Sequence, residues 1–157
     1  DHSIIRAGTY IYAGNHIGKH FQTGNKANIR ELNQIGDHVS IGTSSVIEHH
    51  VEIGNWVRIH SQVFIPEYCL LEEKCWIGPN VVLTNATYPK HPTIKQNLQG
   101  VRLRRNSKIG ANTTILPGVE VGENSLIGAG SMVTKDIKCN LIVAGNPAKK
   151  IRDIDYI

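Results

Sequence analysis

Residues 35–65, IGDHVS IGTSSV IEHHVE IGNWVR IHSQVF I, place an isoleucine at every sixth position. Followed outward, the register runs from Ile5 to Leu83: Ile5, Ile11, Ile17, Thr23 and Ile29 precede the stretch, and Leu71, Ile77 and Leu83 follow it. Four residues on, most side chains are small or β-branched, as at Val39, Ser45, Val51, Val57, Val63, Cys69, Cys75 and Val81, while Asn15, Phe21 and Asn33 depart from the pattern. Gly often follows the aliphatic residue, as at Gly18, Gly24, Gly36, Gly42, Gly54 and Gly78. Six is a multiple of the strand period and not of the helix period, so first and fifth positions share one face of an extended chain. Fourth positions collect Gly8, Gly14, Asn80, Asn112, Gly118, Asn124, Gly130 and Asp136, residue types that enter left-handed backbone at low cost. Each hexapeptide therefore predicts one short strand and one tight corner. Such strands cannot bury an apolar face alone and must stack as a solenoid.

The 157 residues read as one domain, 40% hydrophobic but only 6% aromatic, a composition suited to a narrow, Ile-filled core. No apolar run has the length of a membrane span, and Asp1 to Ile5 do not read as a signal peptide, so no membrane partner and a cytoplasmic location are expected. The net charge of +4 suits anionic partners without identifying them. No Arg/Lys cluster interleaved with aromatics points to nucleic acid. Cys69 and Cys75 at the inward fifth position predict core filling in a reducing compartment, and without CxxC or zinc spacing no metal is expected.

The repeat resembles that of the hexapeptide-repeat acyltransferases. The resemblance implies an all-β fold, a left-handed parallel β-helix of triangular section with three hexapeptides per coil, and a homotrimer with active sites between subunits. The left hand departs from the usual right-handed crossover and rests on the resemblance alone. Three hexapeptides per coil stack residues eighteen apart, about 4.8 Å between coils. One face then has no glycine at its second positions, Tyr12, Arg30, Glu48, Pro66 and Thr84, and carries Ala13, Glu31, His49, Glu67 and Asn85 at its third. The register breaks on that same face. Residues 84–108 carry no repeat but hold Pro89, Pro92 and Gly100, and the pattern resumes at Ile109 in another phase. This divides the chain into N-terminal coils at 5–83, an extruded active-site loop at 84–108, C-terminal coils at 109–138 and a cofactor-binding tail at 139–157.

The loop entrance, Pro79 to Pro89, looks like that of sugar acetyltransferases. In galactoside and maltose O-acetyltransferases a catalytic His precedes the Pro, where this chain has Tyr88; Thr84, Asn85 and Pro89 are closer to N-acetyltransferases acting on nucleotide-linked amino sugars. Val46 to His50 is similar to the segment around the catalytic His of sugar N-acetyltransferases and sialic-acid O-acetyltransferases of this fold. By that resemblance His49 is the general base, oriented by Glu67 or Glu31, and Asn85 holds the acceptor. His49 and Asn85 are two coils apart, about 10 Å, so a neighbouring subunit or the loop must close the gap, and His91 in the loop is the rival base. IGAGSMVTKDI and VAGNPAKKI, residues 127–137 and 143–151, resemble the closing pattern of the family. The resemblance implies an acetyl-CoA site with Gly110, Ala111 and Ala129 along a smooth edge, Thr134 and Lys135 beside the cofactor's path, and Lys149 and Arg152 at its phosphates. The expected function is acetyl transfer from acetyl-CoA to the amino group of a nucleotide-linked amino sugar. O-acetylation of a sugar hydroxyl is the alternative within the class, and a non-catalytic scaffold the alternative outside it. The carbonic anhydrases of this fold need two His five apart, and this chain has no such pair.

Overall fold

The computed structural model describes residues 2–155. Two-residue strands recur every six residues and stack in parallel into three sheets, the walls of one β-helix. The first sheet runs Tyr10–Ile11, Asn28–Ile29, Val46–Ile47, Phe64–Ile65, Val82–Leu83, Thr114–Ile115 and Met132–Val133. The second runs from His16–Ile17 to Glu120–Val121, and the third from Gln22–Thr23 to a terminal antiparallel hairpin, Leu141–Ala144 with Lys149–Asp153. Pairs such as Tyr10↔Asn28 and Leu70↔Glu52 show the expected stacking of residues eighteen apart. Ile29, Ile47, Ile65, Leu83 and Ile115 form one buried column, and the fifth-position residues fill the space between columns. Cys69 and Cys75 lie in this core, where burial pushes their thiols up to about 12 and about 11. Ile5 and Ile11 remain 48% and 40% exposed because no described coil lies beneath them. Among the described residues no helix is long and apolar enough to cross a membrane.

The corners obey a stricter rule than their residue types suggest. Every fourth position from His20 to Asn80 has φ between 55° and 65°, including Leu32, Trp56 and Tyr68. Left-handed backbone costs an ordinary L-residue about 1–2 kcal/mol, so the conformation is imposed by coil stacking and not by local preference. A hydrogen bond between coils helps to offset it. The corner N–H donates to a third-position carbonyl of the coil before, as in Lys26 to Ala7, His38 to Lys19, Trp56 to Asp37 and Gln62 to Thr43, at 2.8–2.9 Å. Among the described residues this bond is missing at His50 and Tyr68, which share one corner. Asn15 and Asn33 break the apolar fifth position there for a related reason. The Asn15 side chain accepts from the Asn33 N–H at 3.0 Å, and the Asn33 side chain accepts from the Val51 N–H at 2.7 Å, tying three coils together.

The extruded segment is shorter than its lack of repeats predicts. Arg102–Leu103 is a strand paired with Leu70–Leu71, and Val101 and Leu103 are fully buried, so the coil resumes before Ile109. Leu71 pairs with Leu103 thirty-two residues on, where neighbouring coils pair eighteen apart, so fourteen residues are inserted. The insertion is pinched at its base, where the Gln99 N–H donates to the Asn85 carbonyl at 2.8 Å. It carries a single 3-10 turn, Ile94–Gln96.

Candidate active site

The corner that follows the first sheet gathers most of the polar chemistry. Glu31, His49, Glu67 and Asn85 occupy the same position in successive coils, each one residue beyond a glycine-free second position. Arg30 decides which carboxylate is available to His49. Its guanidinium grips Glu31 through Nε at 2.9 Å and Nη2 at 3.1 Å and reaches Glu48 at 3.2 Å. The Arg30 hydrogen bond holds the Glu31 carboxyl below its ordinary value and leaves Glu67 as the group facing His49.

Glu67 joins the two residues that sequence spacing left two coils apart. Asn85, 9% exposed, donates from Nδ2 to Glu67 Oε2 at 2.7 Å, and the other carboxylate oxygen lies 3.7 Å from His49 Nε2. His49 Nδ1 in turn lies 2.8 Å from His50 Nδ1. A carboxylate beside Nε2 favours a proton on that nitrogen, which makes His49 Nδ1 the acceptor of the His50 Nδ1–H. His50 Nε2 is then the lone pair at the outer end of a relay, with His49 as its middle member and Glu67 balancing the charge. Tyr68 packs its ring against both imidazoles, with centroids 5.9 Å from His49 and 5.7 Å from His50. His50 was not singled out from the sequence. The signal available was the His49–His50 doublet at a position where a bulky residue must take up left-handed backbone.

The loop rises directly from Asn85. His91 accepts at Nδ1 from the Thr93 N–H at 3.3 Å and lies 3.1 Å from the Thr93 hydroxyl, so that nitrogen is held within the loop. Thr87, Tyr88, His91, Ile94 and Asn97 line a hollow of about 380 Å³ on the loop itself. No hydrogen bond or ion pair joins His91 to His49, Glu67 or Asn85 among the described residues.

The residues expected at the cofactor divide between two corners. Gly110, Ala111 and Ala129 follow the third sheet, where Gly78 and Gly110 bring successive coils so close that a Cβ would lie 2.8 Å from the Ala111 nitrogen and 2.5 Å from the Ala129 nitrogen. The resulting strip, Gly110–Ala111 and Gly128–Ala129–Gly130, has no side chain longer than a methyl. Among the described residues the Ala111 and Ala129 N–H groups donate to no acceptor of the chain. A smooth edge whose amides donate to no acceptor of the chain fits an extended amide-bearing chain such as pantetheine. Lys149 lies opposite Ala144 at the same corner; Arg152, opposite Ile142, pairs with Asp155 at 2.9 Å. Thr134 and Lys135 instead follow Met132–Val133 of the first sheet, on the corner that bears His49. Among the described residues no group of at least three His, Cys, Asp or Glu is placed to hold a metal.

The structure is thus a parallel β-helix with a loop-bearing polar corner and an edge that carries no side chain longer than a methyl. Residues 34–67 and 100–135 match the model of the bacterial transferase hexapeptide (six repeats). It is similar to the galactoside O-acetyltransferase of Lactococcus lactis subsp. lactis (strain IL1403), 43% identical over 86 residues, which are 50% of this chain and 42% of that protein. The galactoside O-acetyltransferase of Escherichia coli (strain K12) is 42% identical over 83 residues, 50% of this chain and 41% of that protein. The chain thus spans less than half the length of these relatives. Among solved structures, AntD, an N-acyltransferase from Bacillus cereus in complex with dTDP and 3-hydroxybutyryl-CoA, superposes with a TM-score of 0.64 at 21% identity, covering 98% of this chain and 81% of that one. The acetyltransferase domain of PglB from Neisseria gonorrhoeae in complex with acetyl coenzyme A gives 0.61 at 22% identity, covering 95% and 57%. At these identities the structures establish the fold.

Proposed function

We propose that the chain transfers an acetyl group from acetyl-CoA to the amino group of a nucleotide-linked amino sugar, as a homotrimer in the cytoplasm. The observation that carries the reading is the continuous train His50, His49, Glu67, Asn85 on the corner from which the loop emerges. Asn85 and the loop above it hold the acceptor in line. The histidine pair takes the proton that the amine loses as its nitrogen bonds to the acyl carbon, and returns it to the departing thiolate as the C–S bond breaks. Acetyl-CoA, when bound, supplies the thioester carbonyl. A backbone N–H on the smooth edge, at Ala111 or Ala129, is free to donate to the oxyanion that develops on that carbonyl. In one chain this edge and the histidine corner are separated by the first sheet, so the site closes when the edge of one copy meets the histidine corner of another. That geometry is the argument for the homotrimer, and it accounts for the division of Thr134 and Lys135 from Ala111 and Ala129.

A second reading, acetylation of a sugar hydroxyl, is favoured by the galactoside O-acetyltransferases among the relatives. Tyr88, where that resemblance has a histidine, weighs against it. Release of free CoA thiol is measured with acetyl-CoA and either a panel of nucleotide-linked amino sugars or simple galactosides. Turnover confined to the amino-sugar panel, with an amide in the product by mass spectrometry, is expected. Turnover confined to galactosides replaces the first reading with the second, and no turnover with either removes both.

A further inference from the structure

On the corner that further along forms the smooth edge, at the N-terminal end of the third sheet, a groove of about 230 Å³ runs over Gly24 and Gly42, whose missing side chains would strike the backbone of the next coil. Arg6 stands at one end and Arg58 with His60 at the other, three coils or roughly 14 Å apart by strand spacing. Ser40, Thr43 and Ser61 place hydroxyls along it, and no carboxylate lines it. Neither arginine has an acidic partner among the described residues, although Arg30, Arg104, Arg105 and Arg152 all do.

His60 stands at the C-terminal end of the groove. The same register position is glycine in the coils on either side, Gly42 and Gly78. The His60 ring packs on Trp76 with centroids 4.7 Å apart, and its Nε2 is buried without a hydrogen-bond partner. Two guanidiniums without acidic partners over a glycine floor make a receptor for oxyanions, the setting in which arginine forms paired hydrogen bonds.

We propose that this groove binds the phosphate groups of a phosphate-bearing ligand, Arg6 and Arg58 clamping them from both ends. The inference stands on binding alone and holds whether or not the acyl-transfer reading does. The phosphates have two available sources, a nucleoside diphosphate and the adenosine phosphates of CoA, and the test separates them. Calorimetric titrations of the full chain use inorganic pyrophosphate, UDP and CoA as probes, with wild type, Arg6→Gln, Arg58→Gln and, as a control on another corner, Lys19→Gln. The expected result is a tenfold or greater loss of affinity for pyrophosphate and for one of the larger probes in both arginine variants, with Lys19→Gln unchanged. A selective loss for UDP assigns the groove to a nucleotide other than the donor; a selective loss for CoA assigns it to the donor. Absence of pyrophosphate binding to wild type, or affinities within twofold across all variants, overturns the proposal. Melting curves check folding, and Arg6, on the exposed first coil, keeps the test valid if Arg58→Gln unfolds.

Discussion

His49 lies between partners of opposite kind, a carboxylate at Nε2 and a second imidazole at Nδ1, and this pairing separates the roles of the two histidines. Replacing His49 by Ala breaks the relay in the middle and is expected to lower kcat by about 100-fold or more with little change in KM, the scale of a lost general base. Replacing His50 by Ala removes the outer nitrogen and is expected to give a loss of similar size. Steady-state kinetics decide between them: normal turnover in the His50 variant beside a crippled His49 variant returns the base to His49 alone. His60 makes a different prediction. Burial first, and then Arg58, push its imidazole below the ordinary value. As pH falls below about 6.5 the unfolded chain takes up this proton before the folded chain does. The stability tied to a neutral His60 is therefore complete above about pH 6.5 and is lost as pH falls through the folded value. Melting temperature measured across this range should fall toward acid more steeply in wild type than in His60→Gln.

The hexapeptide is the structural unit, and its corner is the costly part. Leu32, Trp56 and Tyr68 are held left-handed because six residues must turn the chain through one corner and return it to register, whichever side chain stands there. Among the described residues the hydrogen bond between coils recurs along the corners and lapses at His50 and Tyr68, so the regular ladder is interrupted where the proposed catalytic side chains stand. The inserted loop follows the same logic. Because Gln99 N–H closes on the Asn85 carbonyl and the strand at Arg102–Leu103 rejoins the second sheet, the coil is complete without the residues between. Replacing 87–97 by a short Gly/Ser turn should therefore shift the melting temperature by only a few degrees while abolishing acceptor turnover and sparing CoA binding. Global unfolding of that variant, seen by circular dichroism, would show that the loop is part of the fold.

Across the whole molecule each coil packs only on its neighbours, as in other solenoids. The interior of this tube is filled by the inward columns, and its polar chemistry lies along the corners. The histidine corner and the smooth edge flank the first sheet, and the proposed homotrimer brings an edge of one copy to the histidine corner of the next. Complementation tests this. His49→Ala lacks the base, and Ala129→Trp blocks the edge with a bulky exposed ring. Each alone should be inactive, yet refolding the two together should restore measurable turnover, because some interfaces then combine an intact corner with an intact edge. If mixing restores nothing, each site lies within one chain.

The repeat by itself determined the solenoid, the inward columns and the polar corner, because a period of six fixes which side chains face inward and a coil of eighteen fixes which stand above one another. His49, Glu67 and Asn85 were legible as one column for that reason. The tertiary structure alone decided the finer points. Arg30 takes Glu31 and leaves Glu67 to His49; His50 turns back onto His49; the coil recovers at Val101, out of phase and without an isoleucine to mark it; and His60 Nε2 is buried without a partner. Each depends on where a side chain turns after its column is set, and a period fixes positions along the chain while rotamers and ion pairs are settled only by the neighbours that packing brings.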